Sequence, residues 1–154
     1  MPLLTILHEL GHAIPALIFT KGEVIINLGN SNLNKKIKLN RLVINLNGYK
    51  SLLDVSYGYV NWTPIDSTQI YNRIKLILMT LGGPLITLLI SISLYIYLIN
   101  SSLPYVLMLS FNGLFLFSAF EFLITILHIK YSYRPYAGCT SDGYKILQYL
   151  KKSN

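Results

Sequence analysis

Apolar residues fall into three long runs along this chain, at residues 3–19, 74–99 and 104–129. A helix needs roughly 17 to 25 predominantly apolar residues to cross the hydrocarbon core of a bilayer, and each run reaches that length. The pattern therefore predicts a mainly α membrane protein with three transmembrane helices.

A different pattern, in which apolar and polar residues alternate over short stretches, occupies residues 23–62 between the first two runs. It predicts strands at residues 23–28, 37–46 and 55–62, with a turn at residues 29–32. In the second strand the apolar phase slips past Asn40 and Arg41, which indicates either a bulge or a break into two strands. We therefore expect a small β-sheet on the membrane face between the first and second spans, where Tyr57, Tyr59 and Trp62 suit the membrane–water boundary.

The remaining polar stretches predict how the later helices begin. Thr63, Pro64 and Asp66 supply an N-cap, a first-turn proline and an acidic residue for a helix that leads into the second span. After the third span, residues 130–143 predict a re-entrant or cytoplasmic loop, and residues 144–152 predict an amphipathic tail helix. With no internal repeat, residues 1–154 are expected to form a single membrane-embedded domain.

Composition and charge agree with a membrane protein, because 53% of the residues are hydrophobic and only 12% are charged. The net charge of +7 is not arranged as a basic stripe with stacking aromatics, so nucleic acid is not an expected partner. Eight of the 13 Lys and Arg residues lie between Lys21 and Lys75, and five lie from Lys130 onward. By the positive-inside rule the β region and the C-terminus are cytoplasmic. We expect an integral, multi-pass protein of a bacterial cell membrane, surrounded by the lipid bilayer.

The first span contains three ionisable residues in the pattern His8-Glu9-Leu10-Gly11-His12. Residues four apart on a helix differ by about 40° of rotation and about 6 Å of rise, so both imidazoles project from one face and can bind one metal ion. Glu9 lies about 100° from His8, which suits proton transfer better than ligation. A charge at the bilayer centre costs about 2.5 to 3.5 kcal/mol, and a bound metal would offset that cost. Pro15 is expected to kink this helix and to free the carbonyl of Gly11.

A third protein ligand must come from outside this motif, because Pro15 and Ile18 occupy the places where a metzincin would need Gly and a third His. The candidates are Asp142, Glu121, His128 and Cys139. Asp142 taken alone would be a helix N-cap. However, it precedes a glycine, follows a re-entrant-looking loop and lies on the cytoplasmic side. Together with His8 and His12 it would provide the three protein ligands of a catalytic zinc site.

Small and polar residues also form stripes on the other two spans. The stripe on the second span consists of Thr80, Pro84, Thr87 and Ser91. These residues share one helical face, which indicates close packing or the lining of a polar cavity. The stripe on the third span consists of Ser118, Glu121, Thr125 and His128. An ionisable residue within a span is a candidate for function. The alternative for Glu121 is burial in its protonated form or a hydrogen bond to Thr125.

Three short motifs accompany the three spans. They are His8-Glu9-Leu10-Gly11-His12-Ala13 in the first, Gly83-Pro84 in the second and Ser141-Asp142-Gly143 after the third. Together they resemble the site-2 protease family of intramembrane zinc metalloproteases. The resemblance implies that His8, His12 and Asp142 bind zinc, that Glu9 activates water, and that the sheet helps to hold an extended substrate. The chain departs from the family pattern at Thr87, where members often have Asn, and it lacks an Asn-Leu-hydrophobic-Pro run before Asp142.

The expected function is therefore that of an intramembrane zinc metalloendopeptidase with one Zn²⁺ per chain. Its partner would be a membrane-anchored protein or peptide precursor, cleaved in regulated intramembrane proteolysis. The alternative is a catalytically silent, metal-binding membrane scaffold or a regulatory or immunity protein. Glu9 is the residue that separates the two hypotheses, because only the enzyme needs a proton acceptor beside the metal.

Overall fold

The computed structural model describes residues 2–29, 34–47, 58–62, 73–132 and 138–151. Its helices are α1 (Pro2–Phe19), α2 (Arg73–Asn100), α3 (Tyr105–Ile126) and α4 (Asp142–Lys151), and its strands are β1 (Val24–Leu28), β2 (Asn34–Leu39), β3 (Leu42–Asn47) and β4 (Gly58–Trp62). The first three helices are long and apolar enough to cross a membrane, as the three apolar runs predicted. Residues 30–32 of the turn predicted at 29–32, the first part of the third predicted strand and the helix start at residues 63–66 lie outside the described residues.

The four strands form one mixed sheet in the order β2-β3-β1-β4. β1 runs parallel to β3, whereas β1 with β4 and β2 with β3 are antiparallel. The predicted strand at residues 37–46 is broken in two, because a tight turn at Asn40 and Arg41 pairs Leu39 with Leu42. Asn40 has φ 53°, a left-handed conformation that Asn tolerates better than most residues. Of the two alternatives, the break is therefore the one that occurs, and no bulge is needed.

The sheet packs along the side of α1. Val24, Ile26 and Leu28 of β1 are buried with Ala13 and Ala16 of α1 in one apolar cluster. At the C-terminal end of the helix, the Arg41 guanidinium donates hydrogen bonds to the carbonyl oxygens of Thr20 and Leu17, at 2.6 and 2.7 Å. The turn between β2 and β3 is thus bonded to carbonyls that the end of α1 leaves without an intrahelical partner. At the opposite end of the sheet, Gly58 of β4 lies against the side chain of Glu9.

α2 crosses α1 at a point where both helices have glycine. A methyl group added to Gly11 would lie 2.5 Å from the carbonyl oxygen of Gly82, and one added to Gly82 would overlap the carbonyl oxygen of Gly11. The backbones can approach so closely only because neither residue has a side chain. The polar stripe predicted on the second span is part of the buried face of α2, since Thr80, Pro84, Thr87 and Ser91 are all buried.

The two C-terminal helices differ from the predicted bounds. α3 ends at Ile126 and not at residue 129, because Leu127 is extended, with φ −65° and ψ 148°. The chain after it pairs with the segment before α4 through a bridge between Lys130 and Thr140. α4 begins at Asp142, two residues earlier than predicted, because the hydroxyl oxygen of Ser141 accepts the N–H of Tyr144 at 3.2 Å as an N-cap.

Candidate metal centre

Two helices that are distant in sequence bring three ligand atoms together. Nε2 of His8 and Nε2 of His12 lie 3.2 Å apart. Oδ2 of Asp142 is 3.3 Å from the first of these nitrogens and 3.2 Å from the second. All three residues are buried, and this group could hold one metal ion. The geometry therefore brings Asp142, of the four candidate third ligands, into contact with both histidines.

The imidazole of His12 is oriented by the backbone of α2. Its Nδ1 lies 2.9 Å from the carbonyl oxygen of Met79 and 3.2 Å from the backbone nitrogen of Gly83. These contacts require opposite tautomers, since the carbonyl needs a donor and the N–H needs an acceptor. Ligation through Nε2 leaves the proton on Nδ1, so we assign the hydrogen bond to Met79. Nδ1 of His8 is buried and has no hydrogen-bond partner in the described part of the chain.

Both imidazole rings lie against Gly83 of α2. A methyl group added to Gly83 would overlap Nε2 of His12 and would come within 2.7 Å of Nε2 of His8. The space for the metal-facing nitrogens is therefore provided by the absence of a side chain at this position. The glycine of the Gly-Pro pair thus has a steric role at the centre, which the sequence motif alone does not specify.

Asp142 is positioned by its neighbour Ser141, which joins the end of α3 to the start of α4. The Ser141 hydroxyl donates to the carbonyl of Leu127 and accepts the N–H groups of Ile129 and Tyr144, at 3.1 and 3.2 Å. Its backbone N–H also donates to the carbonyl of Ile129 at 2.9 Å. Because the side chain is 3% exposed, these bonds are shielded from water. The start of α4, and with it Asp142, is therefore held against α3.

The Asp142 carboxylate uses its two oxygens differently. Oδ2 faces the histidines, whereas Oδ1 accepts a hydrogen bond from Nζ of Lys145 at 3.2 Å. Burial opposes ionisation of this carboxyl, but His12, His8 and Lys145 outweigh it and hold the pKa of Asp142 well below its ordinary value. A permanently ionised carboxylate is the form that can bind a metal ion.

Glu9 lies beside the ligand cluster and against β4. A methyl group added to Gly58 would come within 2.7 Å of Cγ and 2.8 Å of Oε1 of Glu9, so this strand leaves room for the carboxyl. Glu9, His8, His12 and Asp142 all line one cavity of about 530 Å³. The carboxyl thus has access to the space in front of the three ligand atoms.

The other three candidate ligands are not part of the cluster. Glu121 lines the same cavity but lies outside the group of three. Cys139 also lines the cavity and is exposed. His128 lies beyond the end of α3, where its ring stacks on Tyr144 with centroids 4.2 Å apart.

Gly58, Lys145 and the roles of Gly83 and Ser141 at the centre were not identified from the sequence. Gly58 and the role of Gly83 depend on contacts between distant segments, which no local pattern encodes. Lys145 and Ser141 had a readable signal. Lys145 follows Asp142 by three residues on a helix, and Ser141 precedes that helix as a preferred N-cap residue.

Comparison with known proteins adds no assignment: no family model, curated protein sequence or solved structure matches this chain. The arguments for function consequently rest on the geometry of the centre and on the chemistry of its residues.

Proposed function

We propose that this chain is a membrane-embedded zinc endopeptidase that hydrolyses a peptide bond in a membrane-anchored protein or peptide. The observation that carries the proposal is the buried group of His8, His12 and Asp142, with the carboxyl of Glu9 in the same cavity. Three apolar helices, of which α1 carries the histidines, support placement of this centre in a bilayer. The resemblance to the site-2 protease family supports the same reaction.

Zinc fits the donor set. Two imidazole nitrogens and one carboxylate oxygen are the kinds of ligand that catalytic zinc sites use, with a further position left for water or substrate. When bound, zinc would supply a Lewis acid that polarises the scissile carbonyl and lowers the pKa of the attacking water. The residues around the ligands contribute orientation, through Met79 for His12 and through Lys145 for Asp142.

Glu9 is the proton-transfer residue in this proposal. The residue is 6% exposed and lines the cavity with the ligands, so its carboxyl can accept the proton of the attacking water and pass it to the leaving amine. It does not belong to the ligand group, which leaves it available for this role.

The substrate segment would lie along β4. Gly58, Val60 and Trp62 of this strand line the cavity, and in the described part of the chain β4 is at the edge of the sheet. A helical substrate must unwind near the cleaved bond, and its freed amides need partners in an apolar environment. Pairing with an edge strand would supply them.

The metal is tested first by zinc content, measured by mass spectrometry after purification without chelators. We expect one zinc per chain in the parent, and loss of zinc in His8→Ala and in Asp142→Ala. Loss in Glu121→Ala with zinc retained in Asp142→Ala would transfer the ligand role to Glu121.

The reaction is tested with proteoliposomes that contain the parent or Glu9→Gln at equal zinc content. Both are incubated with a pool of apolar membrane peptides, and new peptide termini are identified by mass spectrometry. We expect new termini with the parent and a loss of at least about 100-fold in rate with Glu9→Gln. Equal rates would refute the mechanism, and zinc binding without any Glu9-dependent cleavage would favour the silent scaffold.

A further inference from the structure

The cavity in front of the metal centre has a second polar group that the proposed reaction does not use. α3 contributes the apolar side chains of Phe117, Phe120 and Ile124 to its wall, and Glu121 lies among them. β4 contributes Trp62 to the wall of the same cavity. The carboxyl of Glu121 is therefore placed in a largely apolar space that a ligand of the centre would enter.

Oε2 of Glu121 is buried and has no hydrogen-bond partner in the described part of the chain. The hydroxyl of Thr125, one turn further along α3, does not bond to this carboxyl. It donates to the backbone carbonyls of Glu121 and Phe122, at 2.9 and 3.1 Å. Lys145, a cationic residue that lines the cavity, donates to Oδ1 of Asp142. A bond between Glu121 and Thr125 is therefore present, but it involves the backbone carbonyl of Glu121 and not its carboxyl.

A buried carboxyl oxygen without a donor is costly, whether the group is ionised or protonated, because burial separates it from bulk water. A ligand in the cavity that carries a hydrogen-bond donor would offset that cost. Charge-assisted hydrogen bonds are roughly twice as strong as neutral ones, so a cationic donor would compensate it best.

We propose that Glu121 forms a binding site for an ammonium or guanidinium group at the end of an aliphatic stem. The long stems of Lys and Arg suit the walls formed by Phe117, Phe120 and Ile124, while the charged end reaches the carboxyl. The identity of the natural ligand rests on the proposed function: the ammonium or guanidinium group belongs to a Lys or Arg close to the cleaved bond of the substrate. Glu121 would then select the substrate, and its contribution would be separate from metal binding.

Trp62 allows this site to be tested without any cleavage. It is the only tryptophan of the chain, and it lines the cavity, so its fluorescence reports occupancy. The detergent-solubilised, zinc-loaded protein is titrated with n-hexylammonium and, separately, with n-hexanol, which has the same stem without the charge. We expect the parent to bind the amine at least about tenfold more tightly than the alcohol.

Substitutions then assign the preference to one carboxyl. Glu121→Gln should remove the preference and leave zinc content unchanged. Glu23→Gln, which changes an exposed carboxyl on the sheet, should retain it. Affinities are expressed relative to the free aqueous concentration of each probe, corrected for its measured partition into the micelles, so that different partitioning of the amine and the alcohol does not create a preference.

Three results would overturn the proposal: equal affinity of the parent for both probes, a preference that persists in Glu121→Gln, or a preference lost in Glu9→Gln instead. The first depends on the parent alone, so it applies even if Glu121→Gln does not fold. A zinc-loaded parent that cleaves peptides without any amine preference would refute this site and leave the proposed function standing. An amine preference in a protein that never cleaves would refute the function and leave the site.

Discussion

α1 and α3 both carry residues of the candidate site, but they are held in place in different ways. Eight of the 18 residues of α1 are buried, whereas only Ser118 is buried among the 22 residues of α3. α1 lies between the sheet and α2, and its ligands His8 and His12 lie on its buried face. α3 packs against α2 through aromatic pairs such as Tyr95 with Phe115, and its residues other than Ser118 are half-buried or exposed.

The difference shows two ways of fixing a candidate metal ligand. On α1 the imidazoles are confined by packing, because backbone and side chains of other elements surround them. Asp142 is instead confined by hydrogen bonds, since Ser141 attaches the start of α4 to the end of a helix that has few buried contacts. A packed helix is sensitive to added volume, and a hydrogen-bonded junction is sensitive to the loss of a donor or acceptor.

The largest effect is expected from adding one methyl group at the crossing of α1 and α2. Gly82→Ala would overlap the carbonyl oxygen of Gly11, and backbone cannot move aside as a flexible side chain can. We expect the free energy of unfolding in detergent to fall by about 3 kcal/mol. The matched control is Gly113→Ala on α3, where nothing lies within 4 Å of the added methyl, and we expect a change below about 1 kcal/mol. If Gly82→Ala and Gly113→Ala lowered the free energy of unfolding equally, α3 would be as tightly packed as α1.

The next effect concerns the junction that presents Asp142. Ser141→Ala removes the hydroxyl that binds Leu127, Ile129 and Tyr144, so zinc affinity should fall by about 10- to 100-fold in competition with a chelating dye. Ser118→Ala is the control, because that hydroxyl is equally buried but bonds only within α3, to the carbonyl of Phe115. Unchanged affinity in Ser141→Ala at normal helix content would contradict the positioning role.

A smaller loss of stability is expected at the C-terminal end of α1. Arg41→Gln removes the guanidinium that donates to the carbonyls of Leu17 and Thr20. We expect the free energy of unfolding to fall by about 1 to 2 kcal/mol, measured by thermal circular dichroism with zinc present. Arg41→Lys should restore only part of this loss, since an ammonium cannot place two donors in a fixed fork. Full recovery with Lys would mean that charge alone stabilises this end of the helix.

The smallest effect is expected at the exposed part of the sheet that covers α1. Nζ of Lys38 lies 2.7 Å from Oε1 of Glu23, and this hydrogen bond and charge lower the pKa of Glu23. The stabilisation is present above the ordinary pKa of about 4.5 and is lost as the pH falls through the lowered value. Lys38→Met should therefore raise the pKa of Glu23 in a carbon-13 NMR titration, and Lys36→Met should raise it less. Because the pair is exposed, no change in the unfolding temperature is expected at neutral pH.

Much of the fold follows from local patterns that act at short range. The lengths of the apolar runs predicted the three long helices, and alternation in residues 23–62 predicted strands, because both patterns reflect which side chains can leave water together. The predicted ends of helices were less accurate where hydrogen bonds to other segments decided them, as at the end of α3 before Leu127 and at the start of α4 after Ser141. The choice between a bulge and a break at Asn40 depended on how β2 and β3 pair.

By itself the sequence determined that His8 and His12 share one helical face, that Glu9 lies beside them, and that the small and polar residues of α2 share one face, because helix periodicity places these residues relative to one another. Only the tertiary structure decided that Asp142 joins the histidines while Glu121, His128 and Cys139 remain outside the cluster. It also decided that Gly58 and Gly83 make room for Glu9 and the imidazoles. These arrangements depend on the approach of segments that are distant in the chain, where packing and hydrogen bonds between elements, and not local periodicity, set the distances.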